Sequence, residues 1–128
     1  MTNVIRTRRL LAGGDSESGM SAWDPVADDV VEGDDPKERS HYVYNEPRPG
    51  GGVCRAGVWE ASAYKCRLDN YKCDEFCVVL EGSVTMIDED GREATYRVGD
   101  TFLIPKGFTG YWKQTETMKK FMVTTCYS

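Results

Sequence analysis

The stretch from Asp69 to Gln114 limits what this chain can fold into more than any other. Its two ends, residues 75–82 and 99–107, are β-rich and carry glycines where the chain must turn. Between them, Asp90-Gly91 separates two short β-type runs, and this dipeptide is a strong hairpin signal. Closely spaced strands joined by glycine turns are typical of small β-barrels. The sequence therefore predicts an all-β domain built on these strands.

The chain divides into three predicted parts. Residues 1–22 are polar and rich in Gly and Ser, which predicts a flexible tail. Residues 23–52 predict an arm with one outer strand over 40–45, which ends before the breaker cluster PRPGGG. Residues 53–128 predict the barrel, in which Gly57 marks a bulge or a close approach between strands. No segment shows sustained helical periodicity.

Length and charge exclude several classes of protein. A chain of 128 residues suits one domain, and an apolar content of 40% suffices for one core. The net charge of −5 argues against nucleic-acid binding, because phosphate contacts need clustered Lys and Arg. No apolar run approaches the roughly 20 residues that cross a bilayer, and the run at 10–12 is too short for the core of a signal peptide. The sequence predicts a cytoplasmic protein without nucleic-acid or membrane partners.

The five cysteines are an odd number and follow no secretory signal, so we expect free thiols, mostly buried. Cys73 and Cys77 lie four residues apart. On an extended strand this spacing places them about 13 Å apart, and they could share one zinc ion only if the strand bent.

The spacing of one glutamate, several glycines and one proline carries a family resemblance. Glu75, followed after six residues by Gly82, is similar to the end of the first cupin motif. The spacing of Gly99, Pro105 and Gly107, with five residues before the proline and one after it, is similar to the start of the second cupin motif. Over roughly 23–123 the chain resembles the small cupins related to the (S)-ureidoglycine aminohydrolase domain and the ethanolamine-utilisation cupin. Further stretches that fit this group are Gly57-Val58-Trp59-Glu60, Ile104-Pro105-Lys106-Gly107-Phe108 and Trp112. The resemblance implies an RmlC-like jelly-roll barrel (a double-stranded β-helix) with an N-terminal arm, and a homodimer.

Cupin enzymes usually hold manganese, iron, nickel or zinc with three histidines and one glutamate. Here the histidine positions of the motifs fall on Asp69 and Tyr71 (or on Leu68 and Asn70 with a spacing one residue longer) and on Gly110. The one histidine of the chain, His41, lies in the arm. Only Glu75 remains of the quartet, and a lone carboxylate seldom holds a transition metal. We therefore expect no metal cofactor, and a divalent metal such as those four is the alternative.

Strand alternation predicts a ligand pocket around Glu75. Residues two apart share one face of a strand, so Cys77 accompanies Glu75, and Gln114 accompanies Trp112. Gly110 on the same face leaves extra room where a histidine might stand. A mostly apolar cavity with a few convergent polar groups is typical of small-molecule sites, although the same side chains could merely fill the barrel. The predicted lining is Tyr71, Glu75, Cys77, Trp112 and Gln114.

Three functions follow from these residues. The missing histidines favour a metal-independent barrel that binds a small polar metabolite, such as a sugar- or ureide-like molecule. The alternative is a metal-dependent aminohydrolase or isomerase that uses Glu75 as a metal ligand, or as the catalytic acid or base. The third is a structural homodimer with a vestigial pocket.

Overall fold

The computed structural model describes residues 4–14 and 19–127, and this part of the chain contains strands and no helix. A helix long and apolar enough to span a membrane is therefore absent from these residues. The all-β prediction is confirmed. In chain order the strands are β1 (Asp24–Pro25), β2 (Asp29–Glu32), β3 (Lys37–Pro47), β4 (Val53–Ala61), β5 (Lys65–Leu68), β6 (Cys73–Glu81), β7 (Ser83–Asp88), β8 (Glu93–Arg97), β9 (Thr101–Ile104), β10 (Gly110–Lys113) and β11 (Met118–Cys126).

The strands form two antiparallel sheets. One has six strands in the order β1-β3-β4-β11-β6-β9, and the other has five in the order β2-β5-β10-β7-β8. The chain crosses between the sheets repeatedly, as in the steps from β4 to β5, from β6 to β7 and from β10 to β11. Most neighbours in sequence, apart from the paired strands β3–β4 and β7–β8, therefore lie in different sheets, which is the layout of a jelly roll. The predicted jelly-roll barrel is confirmed.

Two glycine signals of the sequence, at Gly91 and Gly57, act as predicted. Asp90-Gly91 lies in the tight connection between β7 and β8, where Gly91 has a φ of 90°. Gly57 lies where β3 and β4 approach closely, because a Cβ atom there would be 2.1 Å from the carbonyl oxygen of His41. The register of β3 against β4 shifts between Tyr42 and Tyr44, directly opposite this glycine. Gly57 is thus both a close approach and the partner of a bulge.

The arm contributes an edge strand to each sheet. β1 pairs with β3 and β2 pairs with β5, so residues 24–32 bind both halves of the barrel. The predicted outer strand over 40–45 is the centre of the longer strand β3. Described residues of the tail also contact β3, since Ser21 donates its backbone N–H to the Ser40 carbonyl over 2.8 Å. The division into tail, arm and barrel stays a prediction.

The core lies between the two sheets. The six-stranded sheet contributes Cys77, Val79 and Met118, each 0–1% exposed, and the other sheet contributes residues such as Met86 and Trp112. Removing a large apolar side chain of this kind from water stabilises a fold by about 1.5–3 kcal/mol. Among these apolar groups the six-stranded sheet also turns polar side chains inward, and they define the site described below.

The expectation of free thiols is wrong for Cys73 and Cys126, which form a disulfide. β6 and β11 run antiparallel and place these two residues directly opposite each other. The partners are 53 positions apart in sequence, so only the pairing of the two strands brings them together. Cys54, Cys66 and Cys77 are free thiols, as predicted.

Candidate functional site

A cavity of about 220 Å³ lies inside the barrel, and Glu75 is one of its lining residues. The alternation of β6 turns Glu75 inward, where it is 5% exposed. Its Oε1 atom accepts a hydrogen bond of 2.5 Å from the Tyr71 hydroxyl. Its Oε2 atom accepts one of 3.1 Å from the Cys77 thiol and forms an ion pair with the Lys120 ammonium. Both carboxylate oxygens are therefore engaged by protein groups.

Lys120 on β11 is the cation that pairs with Glu75. The strand alternates, so that Met118, Lys120 and Met122 point inward while Lys119 does not. The Lys120 Nζ atom lies 4.4 Å from the ring centroid of Trp112 and 4.7 Å from that of Trp59. Aromatic faces attract an ammonium group, and more strongly when it is desolvated. One carboxylate and two indole rings therefore hold this buried charge.

The carboxylate and the ammonium group fix each other in the charged state. Burial disfavours the charged form of Glu75, but the Lys120 charge and the hydrogen bonds from Lys120, Tyr71 and Cys77 outweigh burial and lower the Glu75 pKa. Burial also disfavours the charged form of Lys120, but the neighbouring Cys77 and Glu75 raise its pKa. Burial and the Glu75 charge raise the pKa of the Tyr71 hydroxyl, which remains a donor. At neutral pH the site is a carboxylate, an ammonium group and a phenol.

The residues present do not fit the metal that cupin enzymes carry. Among the described residues, no group of three or more His, Cys, Asp or Glu side chains could hold a metal ion.

The expectation that Gly110 leaves extra room in the pocket is wrong. A Cβ atom at this position would lie 2.1 Å from the Ile87 carbonyl oxygen and 2.9 Å from the Phe108 ring. The backbone of β7 occupies that space, so no histidine side chain can stand there.

Three of the five predicted pocket residues line the cavity, and two lie behind it. Tyr71, Glu75 and Trp112 are lining residues. Cys77 is fully buried and contacts Glu75 rather than the cavity. Gln114 is buried as well, where it accepts a hydrogen bond of 2.8 Å from Trp112 Nε1 and donates to the carbonyl oxygens of Ala61 and Glu116. Its contacts fix the orientation of the indole ring.

Sequence reasoning missed several lining residues, including two further acidic residues, Asp28 and Glu38. Trp59 Nε1 donates to Glu38 Oε1 over 2.8 Å, and the Tyr64 hydroxyl donates to Asp28 Oδ2 over 3.2 Å. All four of these residues line the cavity, as does Lys120. The alternation of β4 and β11 could have indicated Trp59 and Lys120. Asp28 and Glu38 depend on the path of the arm, for which the sequence carries no signal.

The comparison with known families identifies the barrel. Residues 49–121 match the model of the EutQ-like cupin domain, which is more than half of the chain. The chain belongs to this family. No curated protein is similar enough to this cupin to count as a match.

Solved structures that are similar to this cupin share its fold. A protein of unknown function from Pseudomonas syringae pv. tomato has a TM-score of 0.72 and 24% identity over 88% of this chain. This cupin spans only 46% of that protein. A putative ethanolamine utilization protein Q from Salmonella typhimurium has a TM-score of 0.59 and 21% identity, over 72% of each chain. The polyketide cyclase RemF from Streptomyces resistomycificus has a TM-score of 0.61 and 14% identity, over 94% of this chain and 80% of its own. At these identities the likeness shows the fold alone.

Proposed function

We propose that this cupin binds a small polar metabolite in its barrel without a metal ion. One observation carries the proposal: the glutamate of the first cupin motif is paired with a lysine of the same chain. The Lys120 ammonium supplies the positive charge that a metal would bring to Glu75. The rest of the cavity has aromatic walls and several polar side chains, which suits a ligand that hydrogen-bonds on some sides and stacks on others.

The charge states of the site favour binding over acid–base catalysis. A general acid or base works best when its pKa lies near the operating pH. The lowered pKa of Glu75 and the raised pKa of Lys120 move both groups away from neutrality. The carboxylate also has donors on both oxygens. These features weigh against the alternative of an aminohydrolase or isomerase that uses Glu75 as acid, base or metal ligand. The resemblance to the ureidoglycine aminohydrolase group then bears on the ligand, which we propose to be ureide- or sugar-like.

We also propose that the protein acts as a homodimer through the outer face of the six-stranded sheet. Leu103, Phe76 and Val123 lie opposite one another on the adjacent strands β9, β6 and β11. Their exposed fractions are 58%, 46% and 40%. A contiguous apolar row on a sheet face is typical of a contact surface, and a second copy of the same face would cover it.

Native mass spectrometry of the full chain, purified without added ligand, tests both proposals together. We expect a dimer in which each subunit carries the excess mass of one small molecule, released at higher collision energy. Phe76→Lys should yield monomers that keep the excess mass, because Phe76 lies outside the cavity. A bare polypeptide mass, together with no thermal stabilisation by a panel of sugars and ureides, would refute the binding proposal. A wild-type monomer at micromolar concentration would refute the dimer.

A further inference from the structure

Two carboxylates that line the cavity have no cationic partner. Among the ion pairs of residues 4–14 and 19–127, Glu75 pairs with Lys120 and Glu60 pairs with Arg39, but none involves Asp28 or Glu38. Within the cavity, Lys120 is already paired with Glu75. Among the described residues no salt bridge involves Asp28 or Glu38, and the lining as a whole carries three carboxylates (Asp28, Glu38 and Glu75) against the two cations Arg55 and Lys120.

Neutral donors hold these two carboxylates in place without neutralising them. Glu38 accepts hydrogen bonds from Trp59 Nε1 on one oxygen and from the Ala27 backbone N–H, over 3.1 Å, on the other. Asp28 accepts one from the Tyr64 hydroxyl on Oδ2, and no described residue donates to its Oδ1. Partial burial, and after it the charge of Glu38, raise the pKa of Asp28, and they outweigh the opposing effects of the Tyr64 hydrogen bond and of the Lys120 charge. Two like charges held near each other favour a cation between them.

Aromatic rings complete the surroundings of this acidic pair. Trp59 and Tyr64, which donate to the two carboxylates, also line the cavity. Carboxylates together with aromatic faces are the groups that recognise an organic ammonium ion. The same cavity already shows this mode of binding within the protein, because a carboxylate and two indole rings hold the Lys120 ammonium.

We infer that the ligand of this cavity carries an ammonium group, which binds between Asp28 and Glu38 against the aromatic wall. The inference rests on the proposed function and narrows its ligand class to small amines. A neutral polyol could stack on the same rings and donate to the same oxygens, but it would leave the excess negative charge of the cavity lining unbalanced. A metal ion would need further ligands, and no group of three or more His, Cys, Asp or Glu side chains that could hold one exists among the described residues.

Calorimetric titration of the full chain with matched pairs of ligands tests this inference. Glucosamine and glucose differ in one group, an ammonium or a hydroxyl, and so do glycinamide and glycolamide. We expect the amine of at least one pair to bind at least tenfold more tightly than its hydroxyl analogue at neutral pH. Glu38→Gln and, separately, Asp28→Asn should each reduce this preference at least fivefold. Glu60→Gln is the matched control, because Glu60 pairs with Arg39 and does not line the cavity, and it should keep the preference.

Three outcomes would overturn the inference: hydroxyl analogues that bind as tightly as the amines, no binding of either amine, or a preference that survives in both acidic-pair variants. Tight binding of glucose alone would overturn the inference that the ligand carries an ammonium group, and it would leave the metabolite-binding proposal standing. A requirement for a stoichiometric metal ion in any of these titrations would instead overturn the proposed function.

Discussion

Lys120→Met is expected to destabilise the folded protein by about 3–5 kcal/mol, because it leaves the Glu75 carboxylate buried without its cation. Methionine keeps most of the volume and the apolar stem of lysine, so the lost charge dominates the effect. Lys120 and Glu75 are both buried, at 7% and 5% exposure. The measurement is urea denaturation, in which the midpoint should fall while the slope remains unchanged.

Lys119→Met is the matched control for this variant. Lys119 is the adjacent residue, points outward and forms a 3.5 Å ion pair with the exposed Glu81. The Lys119 side chain is only 15% exposed, but the pair is open to solvent at Glu81, and such surface pairs contribute about 0–1 kcal/mol. Adding Glu75→Gln to Lys120→Met should recover much of the loss, since the buried charge is then gone. Equal destabilisation by Lys120→Met and Lys119→Met would contradict a structural role for the buried pair.

The effect of Lys120→Met should also depend on pH. The folded-state pKa of Glu75 is lowered, so its contribution is present above the unfolded pKa, about 4.3, and is lost as the pH falls. The folded-state pKa of Lys120 is raised, so its contribution is present below about 10.4 and is lost as the pH rises further. The difference in stability between wild type and Lys120→Met should therefore be largest between about pH 5 and pH 10. It should shrink in acid, where Glu75 is protonated in both proteins.

Replacing Cys73 and Cys126 together by Ser is expected to cost about 4 kcal/mol of stability. The disulfide closes a loop with a sequence separation of 53 residues, and the loss of chain entropy in the unfolded state for a loop of this length is about 4 kcal/mol. Urea denaturation under oxidising conditions measures the difference. A reductant should lower the midpoint of the wild type towards that of the double variant and leave the double variant unchanged.

Cys54→Ser is the control for the disulfide, because Cys54 is a half-buried free thiol on the neighbouring strand. It should change stability by less than about 1 kcal/mol. Alkylation of the denatured, unreduced wild type should modify three of the five cysteines. Modification of all five, with a double variant as stable as Cys54→Ser, would show that the disulfide does not form.

The fold could be predicted because its signals are local. Glycine turns marked the β-rich end at 99–107, which contains β9, and the hairpin at Asp90-Gly91, and neither needs knowledge of distant residues. Alternation along β6 likewise predicted that Cys77 shares the face of Glu75, and both side chains point inward. A β-barrel follows from these strands because each must bury one face, and the resemblance to cupins implied its jelly-roll topology.

The chemistry of the site depended on contacts between distant segments. Lys119 and Lys120 are neighbours, and only the pairing of β11 with β6 decides which ammonium group reaches Glu75. The same pairing creates the disulfide between Cys73 and Cys126. The acidic pair of Asp28 and Glu38 comes from the arm, whose path over the barrel has no local signal. Gly110 was misread because its free space depends on the backbone of β7.

The metal content of the protein purified without chelator tests most directly whether Lys120 stands in for a metal ion at Glu75. Elemental analysis by mass spectrometry should cover manganese, iron, nickel and zinc in the wild type and in Glu75→Gln. We expect only a small fraction of one equivalent per chain in both proteins. One equivalent of any of these metals in the wild type, lost in Glu75→Gln, would contradict the ion pair as the centre of the site.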